Sequence, residues 1–125
     1  MNTFRFVYGP PVYRYYHTGQ YYEVSRFAAD ELRQAVRYGY AEGFRAGRSD
    51  RLDRWSYGFQ DSFAFEDGSY GYSGYVSFAE YQYYFREGFR RGYEDGFYGR
   101  THYGSLNGGI LSGILQTILA LQSLR

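Results

Sequence analysis

The sequence predicts a mainly α protein: two or three packed helices that cross on glycine ridges, an extended or hairpin N-terminal arm, and a separate C-terminal amphipathic helix. Three observations predict it. Apolar residues recur every three or four positions over two long stretches, those stretches carry matching glycine triplets, and aliphatic residues concentrate in the last sixteen positions. The resulting organisation is an aromatic arm over 1–24, a helical repeat domain over 25–100, a Gly-rich linker over 101–109 and an aliphatic helix over 110–125.

The arm reads as extended because Phe4, Phe6 and Tyr8 alternate before the turn Gly9-Pro10-Pro11, and Thr18-Gly19 separates two Tyr-rich runs. From Ser25 the period changes. Phe27, Leu32, Val36, Tyr40, Gly43, Phe44 and Gly47 predict a first helix over about 26–48. Leu52, Trp55, Phe59 and Phe63 have helical spacing too and predict a shorter helix within 49–64, ended by the glycines at 68, 71 and 74. Ser77 and Glu80 form a capping box, flanked by Val76 and Tyr81 as a hydrophobic staple, and start a helix over about 78–98. In the last segment Ile110, Leu111, Ile114, Leu115, Ile118, Leu119, Leu121 and Leu124 make a broad apolar stripe against an uncharged polar face. It reads as a docking element.

Glycine in a helix interior costs about 1 kcal/mol relative to alanine. The stretch 86–97 carries three, Gly88, Gly92 and Gly96, and the stretch 37–48 carries Gly39, Gly43 and Gly47 at one constant offset. The aromatics align as well: Tyr40 and Phe44 with Phe89 and Tyr93, while Phe97 extends the second set. Two such ridges let helix backbones approach more closely than usual and bring Cα–H groups to facing carbonyls, with the aromatics packing alongside. Glu42 and Arg45 would pair across the crossing with Arg90, Arg91, Glu94 and Asp95, and Arg90–Glu94 and Arg91–Asp95 would also support their own helix at i,i+4. Whether the ridges meet within or between chains is open at this level.

The R-x-G-[FY]-x-x-G-Y-x-x-G-[FY] pattern at 86–97, with "GYAEGFRAGRSDR" and the connection between them, resembles a group of uncharacterised Tyr/Gly/Arg-rich bacterial proteins of acidobacterial type. The similarity spans about 38–100. It implies a recurring module without an assigned activity.

Eighteen Tyr, eleven Phe and fourteen Arg without one Lys form a contact-making composition, since arginine stacks on aromatic rings and grips carboxylates. Thirteen acids bring the net charge to +1. That balance argues against nucleic acid as a partner, although Arg with Tyr could stack on single strands. With no cysteine there is neither a disulfide framework nor a thiolate metal site. His17 and His102 read as exposed turn residues, Asp61, Glu66 and Asp67 as a helix-ending turn, and no nucleophile elbow occurs. No catalytic, cofactor or metal residues are assigned, and no enzyme activity is expected.

The expected function is a structural, self-assembling subunit of a filament, tube or similar homo-oligomer, its partner being itself. The alternative is an adaptor or cargo module that docks on another protein or a shell through residues 110–125. No run is long enough for a membrane span, and the given chain shows no signal peptide. An extracellular or cell-surface setting is favoured.

Overall fold

The computed structural model describes residues 9–103 and 111–124, with backbone alone for 111–114. It is mostly helical with a small antiparallel sheet. Strands β1 (Tyr13–His17) and β2 (Gln20–Val24) form a hairpin, followed by the long helix α1 (Arg26–Leu52). A 3-10 turn (Phe59–Asp61) and the short helix α2 (Phe63–Asp67) occupy the connection to α3 (Phe78–Tyr98). Helix α4 (Leu111–Ile118) and strand β3 (Gln122–Ser123) complete the described chain, and the sheet order is β2-β1-β3.

Local chemistry explains these boundaries. Thr18 and Gly19 both have positive φ, 47° and 85°, the combination a two-residue type I′ hairpin turn requires. Ser25 caps α1 by accepting from Ala28 N at 3.2 Å, and Ser77 caps α3 by accepting from Glu80 N at 3.2 Å. Both long helices end in the same way. Arg54 N donates to Arg51 O and Trp55 N to Asp50 O behind α1, while Gly99 N donates to Gly96 O and Arg100 N to Asp95 O behind α3. These are Schellman ends whose left-handed residue is Arg54 at φ 61° in one and Gly99 at φ 64° in the other.

One buried cluster runs through the whole described chain, from Tyr15 and Val24 of the hairpin through Leu32, Val36, Tyr81, Tyr84, Phe85, Phe89 and Tyr93 to Leu115 and Leu119. Two expectations change here. The C-terminal segment is not a separate helix: Leu115 and Leu119 are 6% and 3% exposed in the same core, and the chain then turns to pair β3 antiparallel with β1. The otherwise free edge of β1 takes up β3, and Leu115 and Leu119 fill core beside α1 and α3. Nor does one helix span 49–64. Helix α1 continues to Leu52, and the predicted stripe beyond it splits, Phe59 being half-buried while Leu52, Trp55 and Phe63 are 72%, 65% and 81% exposed.

Candidate functional site

The two glycine triplets face each other within one chain. A Cβ placed on Gly39, Gly43 or Gly47 would stand 2.0, 2.1 and 2.2 Å from the carbonyl oxygens of Phe85, Phe89 and Tyr93. Reciprocally, a Cβ on Gly88, Gly92 or Gly96 would stand 2.2, 2.0 and 2.1 Å from those of Val36, Tyr40 and Phe44. The contact residues advance together, so α1 and α3 run parallel, and each contact is repeated by its counterpart 49 positions along the chain. The hydrogen that replaces each Cβ points at a carbonyl, and any side chain there must push two backbones apart.

Phe85, Phe89, Tyr93 and Phe97 stack in a column along α3, ring centroids 6.0 to 6.3 Å apart, and Tyr40 and Phe44 lie 6.2 Å apart on α1. Two hydroxyls in this layer cross between the helices. Tyr40 donates to Asp95 Oδ2 at 2.8 Å, and Tyr93 donates to the carboxylate of Asp50. Both acceptors are the aspartates whose carbonyls close the Schellman ends. Burial first, then the bond to Asp50, pushes the Tyr93 hydroxyl up to about 12. The same two causes raise Tyr40 beside Asp95.

The predicted charge pairs are rearranged. Asp95 is fully buried and also accepts from His102 N and Tyr103 N, so it is no partner of Arg91. Glu94 pairs with Arg100, whereas Arg90 and Arg91 both pair with Glu87 at 3.0 and 2.9 Å. Glu42 and Arg45 pair with each other on α1 rather than across the crossing. Glu42, Arg45, Arg90 and Arg91 thus lie off the glycine contact and find partners on their own helix, while Asp95 crosses to Tyr40.

The 49-residue correspondence reaches further than the glycines. Glu31 and Glu80 occupy equivalent levels of α1 and α3, and each holds a segment outside the pair. Glu31, 3% exposed, accepts backbone N–H groups of Ser73, Gly74, Tyr75 and Val76 and so fixes the loop entering α3. Glu80 accepts the Tyr15 hydroxyl at 2.5 Å and has His17 Nδ1 at 2.7 Å, which anchors the hairpin. His17 is therefore not an exposed turn residue. Its side chain is 12% exposed, ringed by Tyr22, Tyr83 and Tyr84, and its Nε2 is buried with no partner among the described residues. Burial and the bond to Glu80 raise the Tyr15 hydroxyl, which keeps it a donor.

The hairpin register pairs Tyr15 with Tyr22 and Tyr16 with Tyr21. Tyr15 and Tyr22 thus face the helices, while Arg14, Tyr16, Tyr21 and Glu23 face outward. Tyr16 and Tyr21 are 60% and 58% exposed, their rings 5.2 Å apart, and the Arg14 guanidinium sits 4.7 Å from the Tyr21 ring centre. Among the described residues β2 and β3 are the two outer strands of the sheet. Of the aliphatic residues expected to form an assembly helix, Leu115 and Leu119 are buried and Ile118 and Leu121 pack against the core. Ile110 and the side chains of Leu111 and Ile114 lie outside the described residues. The described part of the face expected to receive another protein thus packs on the chain's own core.

Among the described residues no group of three or more His, Asp or Glu could hold a metal ion, and no helix is long and apolar enough to cross a membrane. No family model matches the chain, and neither comparison with curated proteins nor comparison with solved structures returns a match.

Proposed function

We propose that the protein is a structural, self-associating subunit whose copies join through the hairpin. One observation carries the reading: among the described residues β2 is an edge strand with no proline, lysine or bulge along Gln20–Val24, three of the devices that normally guard an edge. The outward face beside it carries exposed Tyr16 and Tyr21, which add contact area at low conformational cost. A net charge of +1 leaves little repulsion between copies. Antiparallel pairing of two β2 strands would make a closed two-fold contact, and a filament or tube would need a second, different one. The glycine ridges and Leu115 and Leu119 take no part, because each is already covered within the chain.

Light scattering on the full chain tests this. The mass should rise from the 14.7 kDa monomer to at least twice that value between about 1 and 100 μM, the range where modest interfaces assemble. Tyr21→Lys, which places the usual edge guard, should hold it at the monomer. A wild-type chain that stays monomeric throughout would sink the proposal.

A further inference from the structure

We infer that the hollow at the C-terminal end of α1 is a binding site for neutral saccharides, with Trp55 as its stacking platform. The hollow measures about 520 Å³, and its wall includes Ser49, Asp50, Trp55, Ser56, Asp61 and Ser62. That volume falls in the range of small-ligand sites.

Its chemistry is specific. Trp55 is the only tryptophan in the chain and 65% exposed. It follows the left-handed Arg54 of the Schellman end, where the residue normally folds back on its helix. Here the indole is largely exposed to solvent instead, an apolar surface on which the C–H face of a sugar ring can stack. Around it stand carboxylates that accept sugar hydroxyls and serine hydroxyls that both donate and accept. The Ser62 hydroxyl precedes α2 without making a capping bond, and the Asp61 carboxylate has no hydrogen bond or ion pair among the described residues.

The base of the site is hydrogen-bonded to α3. The buried Tyr93 hydroxyl donates to Asp50 and accepts from Gly58 N at 3.1 Å, which joins both walls to α3. No arginine lines the hollow although the chain has fourteen, and two aspartates do. An anionic ligand is therefore disfavoured, and a neutral pyranoside of one or two rings fits the mixture of one aromatic face and many hydroxyl partners.

The single tryptophan makes the test direct. The full chain is titrated with cellobiose, lactose, maltose and N,N′-diacetylchitobiose, with glucuronic acid as a charged control, following Trp55 emission. At least one neutral disaccharide should give a saturable change with Kd of about 1 mM, typical of a shallow polar site, and glucuronic acid none. Asp61→Asn, at an exposed position, should weaken that binding about tenfold, the loss of one charged acceptor. Trp55→Ala, followed by calorimetry, should abolish it while the melting temperature is kept. No saturable change with any of the four disaccharides, or binding that both variants leave intact, would overturn the assignment. Self-association through the hairpin is read separately, by mass, so either proposal can fail alone.

Discussion

The α1 half and the α3 half of the molecule use one plan and attach it differently. Each has a glycine triplet, a glutamate two turns before it, and an aspartate that receives a tyrosine hydroxyl from the opposite helix and closes a Schellman end. What the crossing requires is duplicated. What each half holds is not: Glu31 fixes a loop by its backbone, whereas Glu80 fixes a strand through Tyr15 and His17. The ends diverge too, Gly99 leading to Arg100 paired with Glu94, and Arg54 leading to the exposed Trp55. Contacts made by backbone tolerate one solution; contacts made by side chains at the periphery tolerate several.

The sharpest way to break the equivalence is at the glycines. Gly43→Leu and Gly92→Leu should each cost more than about 4 kcal/mol, an overpacking that backbone cannot absorb, despite leucine's better helix propensity. The two should be alike, because each Cβ meets a carbonyl at about the same distance, 2.1 and 2.0 Å. Thermal melts decide it, and a higher melting temperature in either variant would refute the contact. Next come the crossing hydroxyls. Tyr40→Phe leaves a fully buried carboxylate short of a donor and should cost about 2 kcal/mol by urea denaturation, Tyr93→Phe about 1, since Asp50 borders an open hollow. Equal losses would show that burial of the acceptor does not set the cost. The smallest effect belongs to the helix ends: Arg54→Gly should gain about 0.5–1 kcal/mol and Gly99→Ala lose about 1, read by the same melts.

Much of this plan can be read along the chain, and the remainder fails for identifiable reasons. Glycine spacing and the Ser77–Glu80 box are local patterns, and α3 begins and ends at Phe78 and Tyr98, within the span read from the sequence. The correspondence of Glu31 with Glu80 lies at the same 49-residue offset and could have been found by extending the alignment upward past the glycines. The settings of His17 and Asp95 are not legible locally because their partners are distant in sequence, Glu80 63 positions from His17 and Tyr40 55 from Asp95. Periodicity carries no information about such pairs. The stripe over 52–63 shows the opposite error, since helical spacing is only a potential face, and Leu52, Trp55 and Phe63 meet no second surface. In the last segment the aliphatic run signals burial correctly, but the switch from α4 to β3 depends on a free strand edge contributed by residues more than a hundred positions earlier.

The parallel crossing also orders the route to the native state. An antiparallel helix pair can zip from its turn, each new contact closing only slightly more chain. Here the ridge contacts join positions about 49 apart along the sequence, so the first and the last close loops of nearly the same length and none offers a short local start. Neither helix can wait preformed either, because three glycines weaken each one until the other arrives. The glycines that disfavour each helix alone thus favour forming the two helices together with the aromatic column between them.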